Sequence, residues 1–78
     1  MDREALIILA EMLDKARIQA NAIDAAAPQS GVYGKIRVAF IDTLTLITED
    51  YSVALDVYTS IMEDGNTVRQ ALEKEGQA

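Results

Sequence analysis

The sequence predicts an all-α fold: a small bundle of three to four helices built around a long central helical stretch. Three observations carry this. Between Lys35 and Asp64 there is neither Gly nor Pro to punctuate the backbone. Phe40, Leu44, Ile47, Tyr51, Ala54, Tyr58 and Ile61 recur there at alternating spacings of four and three, the heptad seam of one helix face. Asp42, Glu49, Asp56 and Glu63 recur every seven residues on the opposite side, so a second residue class reports the same period.

The first helix is expected over about residues 2–27. Asp2 suits its N-cap, with Ala5 in the capping-box position where Glu is ideal. Leu6, Leu9, Leu13, Ala16, Ala20 and Ile23 form a heptad seam, large at its start and small in its middle, and Ile8 and Met12 broaden it. Ile7 and Ile18 fall on the other side, flanked by Glu11, Asp14, Lys15 and Arg17, either as partly covered side chains or as a partner contact. Pro28 ends the helix at or before Ala27 and opens a linker over 28–34, where Ser30 is placed to cap the central helix.

The central stretch, about 35–64, reads as one helix or as two that meet near Thr48. Thr48-Glu49-Asp50 resembles an N-cap followed by acids in a first turn, where the helix dipole favours them. A rival reading takes the period-two alternation of Ile36–Phe40 and Leu44–Leu46 as a short hairpin, but Asp42-Thr43 lacks the Gly or Asn that tight turns favour. Gly65 suits a helix C′ position and Asn66 or Thr67 the next N-cap. A last helix over about 67–75 folds back through Val68, Ala71 and Leu72, and Gly76-Gln77-Ala78 is expected to fray.

Seventy-eight residues make one domain, and at this size a monomer buries only about 60–65% of the surface its unfolded chain exposes. The chain contains no Cys and no His, which removes disulfides, thiol nucleophiles, the usual general base and the usual metal ligand. Glu11-x-x-Asp14 loosely resembles half of a helical carboxylate magnesium site, but no second pair converges on it in the sequence, and it reads as solvated surface charge. Gly31-Val32-Tyr33-Gly34-Lys35 fails as a phosphate loop by its spacing and fails as a KH clamp by its lack of basic residues. The reading is therefore a non-enzyme with no cofactor and no metal. The net charge of −6 disfavours nucleic acid and anionic membrane, and the apolar run Ala5–Ala10 is too short to span a bilayer. Asp2 and Glu4 contradict a signal peptide, so a cytoplasmic location is expected.

The segment Ile61-Met62-Glu63-Asp64-Gly65-Asn66-Thr67-Val68-Arg69-Gln70-Ala71-Leu72-Glu73-Lys74-Glu75-Gly76 resembles the opening half of a helix-turn-helix of the phage small-terminase kind. Thr67–Leu72 also resembles the recognition helix of GntR-type regulators. The resemblance implies DNA binding. It covers the last fifth of the chain, and no Lys or Arg occurs between Arg37 and Arg69 to contact phosphates.

The expectation with the most support is a helical protein–protein interaction or regulatory module. Its partners are a second copy, as a homodimer or larger oligomer, or a larger protein with a basic surface. An accessory inhibitor of phage type that presents acidic helices fits the same composition. A stripe outside the central seam, Leu46, Val53 and Val57 with Tyr51 and Tyr58 at its edge, is the expected interface. Asp42, Glu49, Asp56 and Glu63 form the expected partner-facing acidic ridge.

Overall fold

The computed structural model describes residues 2–77. They form α1 (Arg3–Ala26), a 3-10 turn (Pro28–Ser30), α2 (Val32–Thr48), α3 (Tyr51–Asp64) and α4 (Val68–Lys74), with no strand among the described residues. The central stretch is thus two helices, and the hairpin reading of Ile36–Ile47 is excluded because that whole segment lies inside α2. Thr43 and Thr45 adapt to the helix by donating their hydroxyls to the carbonyls of Ala39 and Ile41, each at 2.8 Å.

Each boundary has a chemical cause. The Asp2 carboxylate accepts from the Glu4 N–H at 3.1 Å and starts α1. The Ala27 N–H closes α1 on the Ile23 carbonyl, and Pro28 comes next. The linker is shorter than the sequence implies, because α2 begins at Val32 and not near residue 35. The residue at its N-cap is Gly31 in the left-handed region (φ 63°), which has no side chain to offer. Asp24, one helix away, takes that role: it accepts from the Tyr33 N–H at 3.2 Å and from the Ser30 hydroxyl at 2.5 Å. The Ser30 hydroxyl itself accepts only a long bond, 3.4 Å, from the Val32 N–H.

The break between α2 and α3 falls at Glu49 and Asp50, just past Thr48, where α2 ends. Glu49 closes α2 in the left-handed conformation (φ 59°), its N–H donating to the Thr45 carbonyl at 2.7 Å. The N-cap of α3 is Asp50, not Thr48: its carboxylate accepts from the N–H groups of Ser52 and Val53 at 2.8 and 3.2 Å. The Thr48 hydroxyl braces the turn by donating to the carbonyls of Leu44 and Asp50. At the next boundary Gly65 (φ 70°) caps α3, and Thr67 with Gln70 forms a reciprocal capping box on α4. Beyond α4 the chain does not fray at once. The Gln77 N–H donates to the Leu72 carbonyl at 2.9 Å, and Arg3 donates to the Gln77 carbonyl. Ala78 lies outside the described residues.

After the break α3 doubles back along α2, so that Tyr58 meets Arg37 and Phe40. One core results. Phe40, Leu44 and Ile47 of α2 meet Ala54, Val57 and Ile61 of α3, and α1 adds Leu6, Ile7 and Ala10 while α4 adds Val68, Ala71 and Leu72. Ala10 and Ala20, both buried, put no bulk between α1 and its neighbours. The accessible surface is 4828 Å². Size scaling gives about 4,700 Å² for a folded monomer of this mass, so the chain covers its core about as well as an ordinary monomer does.

A non-glycine residue in the left-handed region costs about 1–2 kcal/mol, and glycine gives back roughly 0.5–1 kcal/mol of that in unfolded-state entropy. Glu49→Gly is therefore expected to stabilise the fold by roughly 0.5–1 kcal/mol. Asp50→Ala, which removes a cap, is expected to destabilise it by about 1 kcal/mol. Urea denaturation of both variants at neutral pH checks the pair of opposite signs.

Candidate functional site

The turn at Glu49–Asp50 rearranges the surface that the sequence implied. Leu46 and Tyr51 are each 60% exposed, and Val53 and Tyr58 are half-buried against the core. Val57 is wholly buried and offers nothing to a partner. The expected stripe is therefore not continuous, because Val57 interrupts it. The central seam survives the break in large part: Phe40, Leu44, Ile47, Ala54 and Ile61 are buried and Tyr58 packs against them. Val57 joins them on the inward side of α3, while Tyr51, its first residue, turns out of the core.

The acidic ridge is affected in the same way. Asp42, Glu49, Asp56 and Glu63 are all exposed. They sit on two helices that run back along one another, with Glu49 at the turn and Glu63 in the last turn of α3, so they do not form one line. Among the described residues none of the four makes an ion pair.

α1 changes most. Its inner line runs through Leu6, Ala10, Leu13 and Ala20, with Ile7 also buried, where the sequence had placed Ile7 outside. Leu9 and Ile23, expected inside, are exposed with Ile8 and Met12, the last to 62%. The polar members of the inner face have tasks that keep them there. Arg17 pairs with Asp14 at 2.7 Å, and Asp24 caps α2. What this leaves outside is a second heptad line, Ala5, Leu9, Met12, Ala16, Gln19 and Ile23. Its spacing is present in the sequence, but an apolar count cannot rank it against the inner one.

Two polar clusters complete the surface. The Arg69 guanidinium on α4 holds both carboxylates of one α1 face: Glu4 through bonds of 2.5 and 3.2 Å, and Glu11 through bonds of 3.3 and 3.4 Å. Arg69 pulls the Glu4 carboxyl below its ordinary range, chiefly through these hydrogen bonds, and the two carboxylates hold the guanidinium protonated well above its ordinary value. An open depression of about 240 Å³ lies beside them, bordered by Arg3, Glu4, Ile7, Arg69, Leu72 and Glu73. At the other cluster the Arg37 guanidinium carbon sits 5.6 Å from the centre of the Tyr58 ring, and its Nε donates to the Tyr58 hydroxyl at 3.2 Å. The Tyr58 hydroxyl, followed by burial, raises the Tyr33 hydroxyl above the usual phenol range.

These contacts limit the chemistry. Glu11 and Asp14 each hold an arginine, so the carboxylate pair read as half a metal site is neutralised within the chain. Among the described residues no three His, Cys, Asp or Glu side chains converge as metal ligands, and no helix is long and apolar enough to cross a membrane. In the segment that resembles a helix-turn-helix, α4 is only seven residues long, buries Val68, Ala71 and Leu72, and commits Arg69 to Glu4 and Glu11. No family model, curated protein or solved structure matches the chain.

The Arg69 cluster gives a pH dependence. A carboxyl whose folded pKa is lowered contributes stability that is present above its unfolded value and is lost as pH falls through the folded one. The thermal midpoints of the wild type and Arg69→Ala are therefore expected to differ near neutrality and to converge below the ordinary glutamate range. Circular-dichroism melts between pH 7 and pH 3 check this.

Proposed function

We propose that this chain is a non-enzymatic interaction module, which works by presenting helix surfaces to another protein. One observation carries the reading. Of the large apolar side chains left exposed, Ile8, Leu9, Met12 and Ile23 gather on one side of α1. Soluble chains seldom leave such a patch wet unless something binds it. The charge supports a second element of the reading. With a net charge of −6 and ridge acids that make no ion pairs among the described residues, a partner that is not another copy is expected to present a basic surface.

Binding by an apolar face and binding by acids separate by mutation. Met12→Glu places a charge in the exposed patch, where no core contact is lost. It is expected to abolish partner capture with an unchanged far-ultraviolet spectrum. Changing Asp42, Glu49, Asp56 and Glu63 together to Gln is expected to leave the fold intact, since exposed charges contribute at most about 1 kcal/mol each. It should weaken capture of a basic partner at low salt. Affinity purification of the three proteins from one lysate checks both. Capture that survives every variant would sink the reading. Salt-sensitive retardation of duplex DNA that Arg69→Ala abolishes would replace it with the DNA-binding one.

A further inference from the structure

The net charge of this chain is not spread over it. Residues 1–37 hold five acids and five bases, residues 69–78 hold two of each, and residues 38–68 hold six acids and no base. The whole charge of −6 therefore belongs to α3 and the part of α2 that leads into it. α3 lies against α2 and α4 and not against α1, so this charge gathers on one side of the bundle. Two of the six acids are used within the fold, Asp50 as a cap and Asp64 on Lys74. Asp42, Glu49, Asp56 and Glu63 stay exposed and make no ion pair among the described residues.

On α3 the acids run beside an apolar row. Tyr51, Leu55, Tyr58 and Met62 follow at spacings of four, three and four. Tyr51 is 60% exposed and Met62 37%, while Leu55 and Tyr58 are half-buried. The exposed Ser52, Asp56, Thr59 and Glu63 each come one position later, so they line the solvent edge of the row. This pairing of rows selects the occupant. A small cation would answer the acids and leave Tyr51 and Met62 wet. A wholly apolar partner would cover the row and leave the acids beside it unanswered. A second copy brings six more unbalanced acids, and nucleic acid brings phosphates, so this side repels both.

We infer that this face of α3 docks a basic amphipathic helix of another protein, apolar on one side with Lys or Arg along its edge. This rests on the interaction-module reading and names the partner of its acidic side. There is no sheet edge among the described residues for a strand to extend, whereas a helix satisfies its own backbone and meets the row with residues three and four apart. Arg37 sets the orientation. Its guanidinium stacks on Tyr58 from α2, and like charge there keeps the partner's bases off that edge and over Asp56 and Glu63. The row is about 16 Å long, so one short helix covers it. Attraction by a side with no base of its own speeds the encounter and falls with salt, which makes the complex a transient one.

A synthetic Leu–Lys peptide of about 18 residues, with leucines three and four apart, is the probe, and a scrambled peptide of the same composition is the control. Nitrogen–proton correlation spectra of the labelled chain are expected to shift at α3 amides with the patterned peptide, with micromolar dissociation that weakens as salt rises. The scrambled peptide is expected to bind roughly tenfold more weakly, as are the complexes of Tyr51→Ala and of Asp56→Lys with Glu63→Lys. All three side chains are exposed, so circular-dichroism spectra stay unchanged. Met12→Glu on α1 is expected to bind as the wild type does. No shift at millimolar peptide overturns the inference, as does equal binding of the scrambled peptide or undiminished binding by the charge-reversed variant. Shifts confined to α1 and lost in Met12→Glu overturn the acidic docking face alone and leave the interaction-module reading standing.

Discussion

The reversal at Glu49–Asp50 decides what in this chain is buried and what is wet. Without it α2 and α3 would continue as one rod, with Phe40 and Ile61 far apart on a single face. With it Phe40 is enclosed by α3, and its ring meets Tyr58 edge-on at a centroid distance of 5.9 Å. The reversal also fixes where α3 ends, hence where α4 starts and where Arg69 can reach α1. It is built from little: a left-handed Glu49, an aspartate cap and a threonine hydroxyl shared between two carbonyls. Local hydrogen bonding thereby sets a global arrangement, and the strain held at Glu49 is tolerated because the core that closes behind it outweighs it.

The acids divide by task. Asp2, Asp24 and Asp50 cap helices, while Glu4, Glu11, Asp14 and Asp64 hold cations. The ridge of four acids at seven-residue spacing contributes none of these. The chain therefore uses acids in two ways: some bond within the fold, at helix ends or between helices, and others only add charge to the surface. Solvated surface charges of this second kind act on solubility and encounter more than on the fold.

Much of the fold was legible from the sequence. The helical class, the caps at Asp2 and Thr67, the stop at Pro28 and the glycine at position 65 come from local chemistry that operates on a few residues at a time. What was not legible was rotation. A helix with apolar residues on most of its girth can bury either of two lines, and the choice depends on what the neighbouring helices bring. In α1 the inner line contains Arg17 and Asp24, which look wrong for a core until the Asp14 pair and the cap on α2 are known. In α3 the seam holds at Ala54, Tyr58 and Ile61, but Val57 is also buried and Tyr51, beside the turn, faces out. The stripe expected outside that seam loses Val57 to the core, whereas the exposure of the ridge acids did not depend on this rotation.

Arg3 at the start of α1 reaches the carbonyl of Gln77, so the two ends of the described chain lie side by side. Chain that enters at residue 3 and leaves at residue 77 does so at one place on the surface, the geometry under which a domain can be carried inside a host loop. The outer seam of α1 would travel with it unchanged, which makes the domain portable as a single helical face on a compact carrier.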